Sequence, residues 1–170
     1  KDRQMLFFSA SMPAQSIRIA TELSKEPMVL RHVEKQVVPE DIEHLYIVVR
    51  KNEKIETLRK IISIEKEKQA MIFLNGAFYL EEATKKLQYH KYEADCLQGS
   101  QGKLERKKVM EGFRSGKIKY LLATDVAARG LQFDGIQLVV HLDVPENTDD
   151  YLHRAGRTGR NGIYGISIMI

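Results

Sequence analysis

Residues 120–131, YLLATDVAARGL, join a short apolar run to a polar turn. The run YLLAT has the length and the composition of a buried strand. Thr124 and Asp125 stand where this strand would end, and Gly130 behind them permits a tight backbone path that a side chain would obstruct. The segment therefore predicts a strand whose carboxyl end presents polar groups.

Other apolar segments of strand length alternate with helical patterns along the chain. The predicted strands are residues 5–10, 42–49, 70–74, 93–97, 120–124, 137–142 and 164–170. Helical patterns are centred between them, beginning at Pro13, near Glu53, after Leu74, near Gly102 and near Thr148. This alternation predicts an α/β fold, a parallel sheet with helices on both faces. Ligands of such sheets bind beyond the carboxyl ends of the strands, so we expect the site in the loops after residues 74, 97, 124 and 142.

Composition limits the class of protein. The 170 residues are 43% hydrophobic and 29% charged, as expected for one globular domain or slightly more. The net charge of +4 mildly favours a polyanionic partner. Residues 101–119 hold seven basic residues and two acidic ones, which indicates either a binding surface or an ordinary solvated helix face.

The cysteine content and the hydropathy exclude two further classes. Cys96 is the single cysteine, so an intrachain disulfide or a thiolate metal cluster is impossible, and the histidines show no ligand spacing. No uninterrupted apolar run approaches the roughly 20 residues of a membrane span. We expect a soluble, cytoplasmic protein without a membrane partner or a metal centre of its own.

A second polar segment, HRAGRTGR at residues 153–160, places Arg154, Arg157 and Arg160 at third-residue spacing among glycines. A guanidinium group is planar, permanently charged and able to grip two oxygens of a phosphate. Arg157 and Arg160 would suit the charge that spreads over a phosphoryl group during its transfer. The alternative is that these arginines cap backbone carbonyls or pair with Asp143, Asp149 or Asp150.

Both polar segments closely resemble motifs of DEAD-box RNA helicases. YLLATDVAARGL is similar to the fifth motif and YLHRAGRTGR to the sixth, while AMIFLNGAFYLEEATKKL at residues 70–87 resembles the fourth and FFSAS at residues 7–11 the third. The resemblance covers nearly the whole chain and implies a RecA-like fold. It implies that residues 33–170 form the second RecA-like helicase domain, preceded in residues 1–32 by the last βα unit of the first lobe and a linker.

In this family each lobe contributes half of a composite ATP site. The resemblance implies that ATP and Mg²⁺ are bound mainly by the first lobe, because neither a P-loop nor an Asp-Glu-x-Asp motif occurs here. Arg157 and Arg160 would act as arginine fingers on the terminal phosphate, and His153 would connect the ATP site to the third motif. Gly130 and Gln132 would lie against the nucleotide.

The remaining implied roles are structural or concern RNA. Arg154 would pair within the lobe, with Asp125 as its candidate partner. Gly99, Arg106 and Thr124, together with Asn75, would contribute to an RNA surface. Such contacts go to the ribose-phosphate backbone and hold a strand without reading its sequence.

Several residues depart from the pattern of the family, and they predict a divergent member with weaker nucleotide or RNA binding. They are Ser11, Ala77, Gln98, Lys103 and Gln132. The departures spare both predicted finger arginines.

The expected partners are RNA and the first RecA-like lobe of the same protein. The fragment alone is not expected to act as an enzyme, and the isolated strand at residues 5–10 could drive self-association through its unpaired edges. Two other functions stay open: an RNA-binding or scaffold lobe without ATPase activity, and a DNA-acting motor of the wider helicase superfamily.

Overall fold

The computed structural model describes residues 3–8, 12, 14–30, 39–66, 68–131, 133–160 and 162–170. The chain forms two compact units, Lys1–Val37 and Val38–Ile170.

The first unit contains one helix, α1 (Ala14–Leu23), within its described residues. The strand predicted over residues 5–10 is wrong for residues 5–8, which form no strand. Residues 9 and 10, and Ser11 of the FFSAS segment, lie outside the described residues. A strand needs a neighbouring strand to receive its backbone hydrogen bonds, and the described part of this unit offers none. Several of its apolar side chains are exposed, with Phe8 at 89% and Leu30 at 86%.

The second unit is a parallel sheet of six strands in its described residues. The strands are β1 (Ile42–Tyr46), β2 (Ala70–Phe73), β3 (Ala94–Leu97), β4 (Tyr120–Ala123), β5 (Leu138–His141) and β6 (Gly165–Met169). They pair in parallel in the order β1-β6-β5-β2-β4-β3. The helices are α2 (Lys54–Ile64), α3 (Ala77–Tyr89), α4 (Lys103–Arg114), α5 (Asp125–Ala128) and α6 (Thr148–Ala155), with a 3₁₀ turn at Lys51–Glu53.

Two apolar cores lie on the two faces of the sheet, which confirms the predicted architecture. Alternate residues of a strand point to opposite faces. In β2, Ile72 therefore packs with Leu58 and Leu80 beneath α2 and α3, whereas Phe73 packs with Phe113 beneath α4. The strands β2, β4 and β5 are buried along their whole length, as expected for a sheet covered on both sides.

Some bounds in the second unit differ from the sequence prediction. The strand predicted over residues 42–49 ends at Tyr46. The strand predicted over residues 120–124 ends at Ala123, because Thr124 is instead the N-cap of the short helix α5. Its hydroxyl accepts a hydrogen bond from the backbone N–H of Ala127, which begins a helical turn that the sequence analysis treated as a loop. In the described part of the chain, no helix is both long and apolar enough to span a membrane.

Candidate functional site

The carboxyl ends of the adjacent strands β2, β4 and β5 gather the polar residues of three loops. The three strands are in register at their last residues. Asn75, Asp125 and Asp143 follow these ends and therefore lie at one edge of the sheet. Arg154 of α6 contacts all three residues, and this cluster is called the Arg154 network below.

Arg154 is buried at 1% exposure and makes four hydrogen bonds within the unit. Its Nε and Nη2 donate to the two carboxylate oxygens of Asp125 at 2.7 and 2.6 Å. Nη1 donates to the carbonyl of Asp143 and Nη2 to the side-chain oxygen of Asn75, both at 2.7 Å. The guanidinium carbon also lies 5.3 Å from the centre of the Phe73 ring. This set of partners anchors α6 to the sheet, because a buried charge is tolerated only when it is paired and hydrogen-bonded.

A second layer of contacts fixes the loops around the network. The backbone N–H of Asn75 donates to a carboxylate oxygen of Asp143 at 3.1 Å, and its side-chain amide donates to the carbonyl of Val144 at 3.0 Å. Lys54 Nζ donates to the carbonyl of Leu142 at 2.6 Å and lies 3.3 Å from the Asp143 carboxylate. The amide of Asn75 is thus used inside the unit, and its predicted RNA contact stays a prediction.

Tyr151 provides another anchor of α6 that the sequence analysis missed. Its hydroxyl is hydrogen-bonded to Nδ1 of His44, and its ring stacks on His141 with ring centres 4.9 Å apart. His141 Nε2 lies 2.9 Å from the hydroxyl of Ser167. Burial, assisted by the charge of Arg154, lowers the pKa of His141 to about 3, so this ring is neutral at physiological pH. His44, His141 and Ser167 come from three separate strands, so no local pattern indicates the cluster.

The turn after α6 carries the two predicted finger arginines, which are less enclosed than Arg154. Both are half-buried. Arg157 Nη1 donates to the carbonyl of Leu131 at 2.6 Å, and Arg160 Nε donates to the carbonyl of Gly156 at 2.7 Å. Arg157 Nε is buried and has no hydrogen-bond partner among the described residues. Burial and the nearby charge of Arg160 lower the pKa of Arg157, which means that an anion between the two groups would be favourable.

Carbonyl capping, the alternative for these arginines, therefore occurs at both positions without using the whole guanidinium group. Arg154 pairs with Asp125, the partner named from the sequence. His153 lies on the exposed side of α6, and Gln132 falls outside the described residues.

The glycines near this turn have reasons inside the unit. Gly159 has a φ of +65°, and a Cβ at this position would overlap the side chain of Ile42 in β1. A Cβ at Gly156 would lie 3.0 Å from the carbonyl of Leu152. Packing within the unit is thus enough to explain both glycines. Gly130, with a φ of +73°, is exposed and has open space around its Cα.

The predicted RNA residues of β3 and β4 lie in adjacent loops, because the two strands are neighbours in register. Arg106 Nη2 donates to the carbonyl of Ala127 at 2.6 Å, and Thr124 Oγ1 accepts from the N–H of the same residue. Arg106 thus joins α4 to α5. Gly99 is exposed, and no atom of the described structure lies within 4 Å of a Cβ built there.

Comparison with known families identifies this arrangement. Residues 53–162 match the family described as helicase conserved C-terminal domain. The chain belongs to this family. The matched range of the helicase C-terminal domain includes the Arg154 network and the turn at residues 156–160.

Relatives of this helicase C-terminal domain are of the DEAD-box type. It is 41% identical over 170 residues to the DEAD-box ATP-dependent RNA helicase CshC of Bacillus cereus, spanning 100% of this chain and 43% of that protein. It is 34% identical over 167 residues to the DEAD-box ATP-dependent RNA helicase CshA of Geobacillus kaustophilus, spanning 98% of this chain and 36% of CshA. The structure of S. cerevisiae Dbp5 bound to RNA and ADP BeF3 superimposes with a TM-score of 0.81 at 27% identity, covering 95% of this chain and 43% of Dbp5.

These comparisons confirm the resemblance to DEAD-box helicases and the RecA-like fold. The chain spans less than half of the length of these relatives. The roles of individual residues of the helicase C-terminal domain in binding ATP and RNA stay predictions.

Proposed function

We propose that this domain is the C-terminal lobe of an ATP-dependent RNA helicase. In this proposal Arg157 and Arg160 act on the terminal phosphate of ATP, which is held mainly by the other lobe. The same edge of the sheet contributes part of a sequence-independent RNA surface. The chain alone is not expected to hydrolyse ATP, because it supplies only half of the site.

The observation that carries the proposal is the contrast between Arg154 and the two arginines that follow it, Arg157 and Arg160. Arg154 is buried and is hydrogen-bonded to Asp125, Asp143 and Asn75. Arg157 and Arg160 are half-buried, each held by a backbone carbonyl, and a buried nitrogen of Arg157 has no partner in the described residues. A turn that follows an anchored helix and carries two guanidinium groups supports a role in binding a phosphate.

The electrostatics support the same role. Burial lowers the pKa of Arg157, and the nearby charge of Arg160 adds to this effect. A phosphoryl group carries negative charge on three oxygens and would relieve both costs, most strongly when charge spreads during transfer. An arginine supplied in this way contributes about 10³ to 10⁵ in rate in related phosphoryl transfers.

The residues present fit ATP only in part. The unpartnered Nε of Arg157 and the guanidinium pair fit a phosphate, and ATP would supply the phosphoanhydride bond that is cleaved. The described residues contain no group of three or more His, Cys, Asp or Glu side chains arranged to hold a metal. Mg²⁺ is therefore assigned to the other lobe in this proposal, and no role of this chain depends on it.

The RNA surface is proposed from the loops after β3 and β4. Arg106 and Thr124 meet at Ala127, and the exposed Gly99 lies in the neighbouring loop. The remaining N–H groups of Arg106 would donate to phosphate oxygens of the RNA. Gly99 has no side chain and would let the RNA strand approach the protein backbone. Binding should then weaken as salt rises and depend little on base identity.

The test is the RNA-stimulated ATPase rate of the whole protein with Arg160→Ala. The rate should fall by about 10³-fold, because the lost charge acts on the transition state. Arg114→Ala is the matched control, since Arg114 is an exposed arginine at the end of α4, away from the strand ends. A rate near wild type for Arg160→Ala would refute the assigned role.

A second readout separates the remaining alternatives. Single-stranded RNA should stimulate hydrolysis more than DNA of the same sequence, because only RNA offers a 2′-hydroxyl. Equal stimulation by both would indicate a DNA-acting or unselective motor. RNA binding without any hydrolysis in the wild type would indicate a scaffold lobe.

A further inference from the structure

Two aromatic side chains stand exposed at the beginning of α3. Phe78 is 80% exposed and Tyr79 is 52% exposed, and their rings meet edge to face with centres 5.6 Å apart. Lys51 Nζ lies 5.7 Å from the centre of the Tyr79 ring. Neither ring belongs to the two cores of the sheet, so packing of the described fold does not explain them.

An open cleft of about 390 Å³ lies beside Phe78. It is lined by Ala77, Phe78, Glu81, Glu82, Lys85 and Gln98. Its volume is within the range of sites for small planar groups. The cleft thus has one aromatic wall and several polar side chains.

The carboxylates of the cleft are compensated. Gln98 Nε2 donates to Glu81 at 2.9 Å, and Lys85 Nζ lies 3.9 Å from the same carboxylate. Lys86 Nζ pairs with Glu82 at 2.6 Å. The acidic side chains therefore do not give the cleft an uncompensated negative charge that would repel a polyanion.

The position of the cleft connects it to the proposed RNA surface. Gln98 is the residue before Gly99, in the loop after β3, and Phe78 follows the end of β2. A strand held by its backbone at Gly99 would carry its bases within reach of this cleft.

We propose that Phe78 and Tyr79, with the cleft beside them, form a stacking site for one RNA base. This inference rests on the proposed RNA-binding function and adds to it a contact with a base instead of the backbone. Every base has a flat π-face that stacks on an aromatic ring, so the site would tolerate any sequence. Lys51, which lies beside the Tyr79 ring, would attract the adjoining phosphate. This cation, together with Gly99 of the proposed RNA surface next to the cleft, favours a base of the bound strand over an apolar peptide as the occupant.

The experiment measures the binding of two kinds of single-stranded RNA to the whole protein. One is a uridine decamer, and the others are decamers in which a single position, scanned along the strand, lacks its base. In the wild type, one abasic position should weaken binding by about 5- to 10-fold, the lower end of the range for base–aromatic stacking. Phe78→Ala should weaken binding of the intact decamer by the same factor and should no longer distinguish it from the abasic decamer.

Two further variants make the outcomes distinct. Tyr89→Ala removes an equally exposed aromatic, at 84% exposure, from the far end of the same helix and should bind both RNAs as the wild type does. Arg106→Ala should weaken binding of both RNAs equally, because it removes a phosphate contact. If Arg106→Ala weakens binding while Phe78→Ala does not, the stacking site is refuted and the RNA surface stands. If the wild type binds neither RNA, the proposed function and the stacking site both fail.

An effect of Phe78→Ala on the ATPase rate with unchanged RNA affinity would also overturn the inference. It would indicate that the aromatic pair packs against another part of the protein.

Discussion

Arg154 and Arg160 are the same residue type, six positions apart, yet the fold treats them in opposite ways. Arg154 is enclosed at 1% exposure, with a bidentate pair to Asp125 and two further acceptors. Arg160 is half-buried and donates to the carbonyl of Gly156. Arginines at third-residue spacing therefore do not have equal roles, because each position meets a different part of the sheet edge.

The contrast has a physical origin in the end of α6. Arg154 lies on the face of the helix that packs on the sheet edge, where Asp125 and Asp143 follow the ends of β4 and β5. The helix ends at Ala155, and the chain then turns away with Gly156 and Gly159. Arg157 and Arg160 therefore leave the anchored helix and keep part of their surface available.

The largest expected effect is on the stability of Arg154→Ala. The change leaves Asp125 and the surrounding acceptors without their partner, so the free energy of unfolding should fall by about 3–5 kcal/mol. Urea unfolding measures this loss. Arg154→Lys keeps the charge but cannot make two bonds to Asp125, and should recover only part of it. If Arg154→Ala were as stable as the wild type, Arg154 would not be a structural residue.

A second prediction concerns pH and the neutral ring of His141. The pKa of His141 is about 3 in the folded protein, below the 6.5 of an unperturbed histidine. Below pH 6.5 the unfolded chain takes up the proton first, so this group stabilises the fold above that pH and loses its contribution as the pH falls towards 3. Between pH 6.5 and pH 5 the loss should be roughly 2 kcal/mol.

The control for this prediction is His141→Asn, which cannot titrate. Its stability should fall less steeply than that of the wild type when urea unfolding is repeated over the same pH interval. Equal slopes for the two proteins would show that His141 is not the group responsible.

A smaller effect is expected for Tyr151→Phe, which tests the other anchor of α6. The change removes the hydrogen bond to His44 and keeps the stack on His141, so unfolding should become easier by about 1 kcal/mol. Tyr89→Phe, which removes a hydroxyl from an exposed ring, should leave the urea midpoint unchanged. Identical midpoints for the two variants would show that the hydrogen bond between Tyr151 and His44 does not stabilise the fold.

The smallest expected change is in the stability of Arg160→Ala. Its guanidinium holds only a local carbonyl in the described fold, so the free energy of unfolding should change by about 0.5 kcal/mol or less. A loss as large as that of Arg154→Ala in the same urea titration would mean that both arginines are structural.

The sequence predicts most of the sheet and only part of the site. The strands β2, β4 and β5 are short apolar runs, and burial on both faces makes such runs visible without any knowledge of their neighbours. The spacing of Arg154, Arg157 and Arg160 indicates phosphate chemistry but does not say which group is enclosed. Only the positions of Asp125 and Asp143, at the ends of β4 and β5 on either side of β2, decide that.

The features that the sequence could not predict depend on distant residues. Lys54 reaches the carbonyl of Leu142, and Tyr151 reaches His44, across 88 and 107 positions of chain. At residues 5–8 the sequence instead predicts an element that does not form. The composition of this segment is that of a strand, but the described part of its unit has no sheet with which it could pair. Local pattern predicts an element only when its tertiary neighbours are present.

The most direct test of the different roles of these arginines is a structure of the whole protein with RNA and a nucleotide that carries an analogue of the terminal phosphate. The proposal predicts nitrogens of Arg157 and Arg160 at about 2.7–2.9 Å from the phosphate analogue, with the Arg154–Asp125 pair unchanged. If Arg157 and Arg160 instead stay on the carbonyls of Leu131 and Gly156 and contact no phosphate, their proposed action on the terminal phosphate is wrong.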